Sequence, residues 1–207
     1  MNKLFLLLIL FVVVQGSFAQ HIPIKGGNSY HDEIIKQRQA KDTEMRSDDN
    51  SPIPAETRKE FKGLNYFKPD SMYKVIASFE RFDNPFHFKM KTTTDRMPEY
   101  AIYGKATFLL KGREFKLNVY QNIELLKKPG YENYLFIPFN DSTNGYETYG
   151  GGRFIDGENT AGDKLIIDFN TAYNPYCAYN HKYSCPIPPE ENTIPIKVEA
   201  GEKKWHE

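Results

Sequence analysis

Apolar and polar positions alternate with period two through the middle of the chain. Between 73 and 79, Tyr73, Val75, Ala77 and Phe79 alternate with Lys74, Ile76 and Ser78, the pattern of a strand with one buried face. Phe86, Phe88 and Met90 alternate with His87 and Lys89 in the same way. The segment YAIYGKATFLLKGREFKLNVYQNI is the clearest hairpin. Two strand-like runs flank Lys111-Gly112, and Phe115, Leu117 and Val119 keep the period. Further strands are predicted at 134–138, 153–156, 164–169 and 194–199, which makes seven or eight short strands with turn signals between them. The front of the chain is different. YHDEIIKQRQAKDTEMRS fits a helix with Tyr30, Ile34 and Met45 on one side, and so thin an apolar stripe predicts a surface helix that frays. Ser51-Pro52-Ile53-Pro54 ends it, PAETRKEF reads as a short helix with Pro54 in its first turn and Phe61 as its anchor, and GLNYFKPD is a loop. The expected fold is mainly β: an antiparallel β-sandwich or partly open barrel with short N-terminal helices.

The first residues stand outside this pattern. Lys3 precedes an unbroken apolar run of eleven residues from Leu4 to Val14, and Ser17 and Ala19 supply the small positions before a cut. These are the features of a bacterial-type secretory signal peptide cleaved near Ala19. The run falls short of the roughly 20 apolar residues that a membrane-spanning helix needs. The expected plan is a signal peptide at 1–19, a polar, partly helical segment at 20–50 and a single β-rich domain at 51–207, secreted or periplasmic, with no integral membrane segment in the mature chain. Lysine plus arginine equals aspartate plus glutamate, at 27 each, so no net field steers nucleic acid to the surface. With 14 tyrosines and 15 phenylalanines against one tryptophan, the composition suits a sheet. It also suits stacking on sugar rings.

Three stretches carry candidate chemistry. The first is DFNTAYNPYCAYNHKYSCPIPPEEN. Cys177 and Cys185 are spaced C-x7-C with His181 midway. In an exported chain a disulfide is the default, contributing about 2–3 kcal/mol for so short a loop. The triplet offers a metal only three ligands, and neither a metal nor a cofactor is expected. A nucleophilic cysteine and a pair of inert thiols are the other readings. Pro175, Pro186, Pro188 and Pro189 make the stretch a stiff excursion between strands. The second is YETYGGGRFIDGENTAGDK, where Gly151 and Gly152 deliver Arg153 between Glu147 and Asp156. It reads either as a bulged, closely packed strand entry or as an anion-recognition loop. The third is KTTTDRMPEYAIYGK, an ordinary hairpin loop or a source of Arg96 and Tyr103 for a cleft shared with Arg153. Asp168, Asn170 and Tyr173 stand at the end of the strand predicted at 164–169 and would join that cleft or form turns.

LFIPFNDSTNGYETYGGGRFID, then LIIDFNTAYNPYCAYNHKYSCPIPPEENTIPIKVEAGEK, and before them PFHFKMKTTTDRMPEYAIYGKATFLLKGREFKLNVYQ, resemble the domain of unknown function 1684 family from about Ile53 to Lys204. The resemblance implies one bacterial domain and brings no activity, cofactor or catalytic residue. Two functions remain open on the residues. One is a binding domain holding a small carbohydrate or carboxylated ligand in an arginine- and tyrosine-lined cleft. The other is a hydrolase using Glu147, Asp156 or Asp168 as paired carboxylates. No nucleophile motif is present, which favours binding.

Overall fold

A computed structural model describes residues 29–205; the signal peptide expected at 1–19 lies outside the described residues. The strands are β1 (Lys74–Lys89), β2 (Glu99–Leu110), β3 (Arg113–Asn122), β4 (Tyr134–Asp141), β5 (Arg153–Glu158), β6 (Lys164–Asp168) and β7 (Thr193–Ile194). They form one sheet in the order β5-β4-β3-β2-β1-β6, with β7 added to β4. Pairing is antiparallel except for β7, which runs parallel to β4. The sheet curls until its ends meet. Phe154 on β5 and Tyr173, just past β6, exchange both backbone hydrogen bonds at 2.9 and 3.0 Å. The mainly β expectation holds, and of its two forms the partly open barrel is the one adopted.

Local chemistry explains most of the elements. Lys111 (φ 50°) and Gly112 (φ 72°) turn the β2–β3 hairpin, the left-handed pair that matches strand twist. The two strands expected at 73–79 and 86–90 are one strand, β1, whose register with β2 shifts between Arg81 and Phe86. Pro85 lies in that irregular stretch, where its missing N–H breaks no regular ladder. The last predicted strand shrinks to two residues, because after the bond from Ser142 N to the Ile196 carbonyl (3.2 Å) Val198 and Glu199 are held by the side chains of Asp141, Arg153 and Tyr73 instead of a ladder.

Val75, Phe79, Leu117, Ile137, Ile155 and Ile167 belong to the main core. A second cluster of Met90, Tyr100, Tyr120, Phe136 and Phe154 takes the opposite set of positions on β3, β4 and β5, and so the other face of the sheet. The register shift between Ile102 and Gly104 makes Tyr103 the extra residue, which is how β2 serves the second cluster at Ile102 and the first at Ala106. β3 and β4 share one pair, Tyr120 with Phe136. Beyond it, the buried side chain of Asn192 fills the seam. Its Oδ1 accepts from Asn118 N (2.9 Å), and its Nδ2 donates to the carbonyls of Asn118 (2.9 Å) and Pro138 (2.7 Å).

The helix α1 (Tyr30–Ser47) is better secured than its apolar stripe predicts. Ser29 and Asp32 form a reciprocal capping box, Ile34, Arg38 and Met45 are buried, and the Tyr30 hydroxyl donates to Asp168 at 2.8 Å. Polar docking replaces the missing hydrophobic area. The second expected helix is only a 3₁₀ turn at Arg58–Glu60, while Phe61 does anchor the segment, against Met45, Ile53 and Tyr179. No helix among the described residues is long and apolar enough to cross a membrane.

Candidate functional site

The docking of α1 leaves a cleft of about 640 Å³ between the helix and the 173–185 loop. Gln37, Lys41 and Glu44, which their spacing puts on one face of α1, line one wall together with Asp48 at the helix C-cap. Asp156, Tyr173, Tyr176, Tyr183 and Cys185 line the other. The loop is held firmly. Pro175 leads into a 3₁₀ turn at Tyr176–Ala178. Further on, Thr93 N donates to the Cys185 carbonyl at 2.9 Å and Ile187 N to the Lys91 carbonyl at 2.9 Å.

Two polar groups, the buried Glu202 and the exposed Asp156, set the cleft's shape. Glu202, 1 % exposed, accepts from Asn174 N (2.8 Å) and the Tyr179 hydroxyl (2.5 Å) and pairs with Lys41 at 2.7 Å. The same ammonium sits 4.5 Å from the centre of the Tyr173 ring. The second group is Asp156, whose Oδ1 accepts from both Tyr134 and Tyr173 hydroxyls at 2.6 Å. Burial pushes both tyrosine pKa values up; the negative charge on Asp156 adds to the shift in each, for Tyr173 after the influence of Tyr134. Tyr176 and Tyr183 pack edge to face, 5.2 Å between ring centres.

The residues singled out from sequence separate into distinct places. Asp156 and Tyr173 meet on the cleft. Arg96 stands beside its rim, donating from Nε to Ser184 Oγ (3.1 Å) and from Nη2 to the Ser184 carbonyl (2.8 Å). Arg153 does not share that cleft. It is fully buried, pairs with Asp141 at 2.7 Å, and donates to the carbonyls of Val198 (2.9 Å), Ala200 and Glu202 (3.2 Å). Burial lowers its pKa and Asp141 opposes the shift. The arginine therefore latches the C-terminal segment onto β4 and β5. Gly152 serves the same packing: with φ at +84°, an added Cβ would lie 2.5 Å from Pro188 and 2.9 Å from the Phe139 carbonyl. At Gly151 it would lie 2.5 Å from the Tyr149 ring. Glu147 pairs with Lys197 at the surface. Tyr103 packs on Phe79 and accepts from Asn159 at 2.9 Å. Asp168 and Asn170 form a third group, with Asn170 donating to the Tyr30 hydroxyl at 2.7 Å and to the Asp70 carbonyl at 2.8 Å. Asp168 caps the 3₁₀ turn at Phe169–Thr171.

The bond expected between Cys177 and Cys185 is not formed here. Both are buried thiols, with Cys177 N donating to Cys185 Sγ at 3.2 Å and the Tyr149 hydroxyl 3.7 Å from Cys177 Sγ. A hydrogen bond from Cys185, helped by Tyr149, lowers the Cys177 thiol to about 6, while that shared proton and burial push Cys185 up. His181 is exposed, and among the described residues no three metal-binding side chains converge.

Sequence reasoning missed Lys41, Glu44, Asp48 and Glu202. The signal for the first three was the helical spacing of a polar face, which is indistinguishable from an ordinary solvated face until the 173–185 loop is placed opposite. No curated protein matches the chain. The solution NMR structure of an uncharacterized protein from Haloarcula marismortui is similar to it at 35 % identity and a TM-score of 0.64, covering 83 % of this chain and 92 % of that one. Residues 59–203 match the model of DUF1684, described as a protein of unknown function. With that match across most of its length, the chain belongs to the DUF1684 family.

Proposed function

We propose that this chain is a secreted bacterial binding domain that holds a small molecule in the cleft between α1 and the 173–185 loop. The observation that carries the reading is the cleft itself. At about 640 Å³ it falls within the ~300–1,000 Å³ typical of small-molecule sites, and Tyr173, Tyr176 and Tyr183 give it flat apolar surface with polar tips. Rings of this kind stack on sugar or other planar faces. The test is a thermal-shift screen of soluble compounds on the wild type and on Tyr176→Ala. Hits that raise the melting temperature of the wild type alone support the reading. Hits unaffected by the change place binding elsewhere.

Export is supported by the apolar run Leu4–Val14 with Ser17 and Ala19; N-terminal sequencing of exported protein should begin at Gln20. In that oxidising setting the neighbouring thiols are proposed to close. Cys177, the more acidic, attacks an oxidant's disulfide, and Cys185 displaces the mixed disulfide, so two electrons and two protons leave the pair. A thiol assay on denatured, unreduced exported protein should find no free thiol; two per chain would refute the bridge. The hydrolase reading now runs through Asp156, because Glu147 and Asp168 line no part of this cleft. Glu44 and Asp48 line the facing wall. It predicts glycoside turnover that is abolished by Asp156→Asn.

A further inference from the structure

We propose that the cleft selects its ligand by positive charge, taking an organic ammonium or amine-bearing compound. This rests on the cleft being the binding site, and it replaces the carboxylated ligand anticipated from sequence. Glu44, Asp48 and Asp156 all line the cleft, and Lys41 is the one lining cation among the described residues. That cation is already matched by the buried Glu202 at 2.7 Å, so the three carboxylates are left to set the sign. Neither Arg96 nor Arg58 lines the cleft: the guanidinium of Arg96 donates to Ser184 and that of Arg58 to the carbonyls of Asp48 (2.7 Å) and Ile53 (2.9 Å), neutral partners that fix each group outside the lining and leave its charge.

The aromatic walls are the second, independent feature. A tyrosine face attracts a cation within about 6 Å of its centre. One such contact exists inside this site, because the Lys41 ammonium lies 4.5 Å from the Tyr173 ring. Tyr176 offers the same chemistry to a ligand. It is 45 % exposed, and its hydroxyl pKa is raised by burial, by Tyr183, and by the field of Glu44, Asp48 and Asp156. A group at that position feels all three carboxylates at once. A bound carboxylate would add a fourth negative charge there, whereas an ammonium meets both the field and the ring.

The test uses three probes of one shape: choline, its neutral carbon isostere 3,3-dimethylbutan-1-ol, and 3,3-dimethylbutanoate, titrated calorimetrically at low salt. Choline should bind at least about tenfold more tightly than the alcohol, and the acid should give no heat of binding. Glu44→Gln with Asp48→Asn, exposed positions in α1 and at its C-cap, should weaken choline about fivefold or more and leave the alcohol unchanged; far-UV spectra confirm the fold. Tyr176→Ala should remove both. Equal binding of choline and the alcohol, or preference for the acid, overturns the charge inference, and sensitivity of that binding to Tyr176→Ala would leave the cleft standing as the site. Compounds from the wider screen that bind the cleft while all three probes fail overturn it as well. If neither the probes nor the screen yield binding at the cleft, both readings fall.

Discussion

Arg153→Ala is expected to be among the most damaging single changes away from the hydrophobic core. The side chains of Arg153 and Asp141 are both fully buried, 2.7 Å apart. Removing the guanidinium leaves the Asp141 carboxylate in the interior with only the backbone N–H groups of Thr143 (2.7 Å) and Val198 (3.3 Å) as donors. Breaking a buried pair from one side costs about 3–5 kcal/mol, most of it the orphaned charge. The carbonyls of Val198, Ala200 and Glu202 lose their donor in the same step. Against a total stability of roughly 5–15 kcal/mol, that is a large share. Urea unfolding followed by circular dichroism is the assay. With a slope near 2 kcal/mol/M, the midpoint should fall by roughly 1.5–2.5 M. Arg153→Met combined with Asp141→Asn removes the stranded charge and should recover about 1–2 kcal/mol of the loss. A loss below about 1 kcal/mol for Arg153→Ala would refute the latch, since an exposed ion pair gives no more than that.

Asn192→Ala opens the β3–β4 seam and strands three backbone groups, the buried Pro138 carbonyl and the part-buried N–H and carbonyl of Asn118. It should cost about 2–4 kcal/mol, read by the same urea titration, and an unchanged midpoint would show that the seam closes without it. Alkaline pH should unfold the protein. Burial raises the pKa of Tyr66, Tyr134, Tyr173 and Tyr179 and lifts Tyr120 to about 12. The native state therefore keeps protons that the unfolded chain releases above about pH 10, and stability falls there by about 1.4 kcal/mol per pH unit for each such tyrosine. Absorbance at 295 nm should show these tyrosines ionising together with loss of structure; ordinary ionisation near pH 10 in a folded protein would contradict it.

The fold was legible wherever a local rule decides it. Alternation marked β1 and β3, Lys111-Gly112 marked the hairpin turn that pairs β2 with β3, and short strand-like runs between turn signals marked β4 to β6. What could not be read locally was settled by partners far away in the chain. α1 has too little apolar surface to predict its docking, because Tyr30 is held by Asp168 and Asn170, and Lys41 by Glu202. Asn192 carries no sign that it will stand in for a strand. Arg153 is the instructive case. Of the two readings of an arginine after three glycines, a packed strand entry or an anion-recognition loop, the first is the one adopted, and alternation along β5 places the side chain on the same face as Ile155, which is buried in the main core. Period-two geometry, applied to the strand predicted at 153–156, points this side chain inward. For the site, Asp156 and Tyr173 were legible as polar groups at strand ends, but the wall facing them came from a helix whose position no local pattern encodes.

The measurement that bears most directly on the central claim is amide chemical-shift mapping of the ¹⁵N-labelled protein against a library of small polar and aromatic fragments. If the α1–loop cleft is the binding site, shifts from the strongest hits cluster on residues 37–52, on Asp156 and on residues 173–185, and Tyr176→Ala erases them. Shifts that cluster around Asp168 and Tyr30 or around Glu147 and Lys197, and that survive Tyr176→Ala, would contradict the claim.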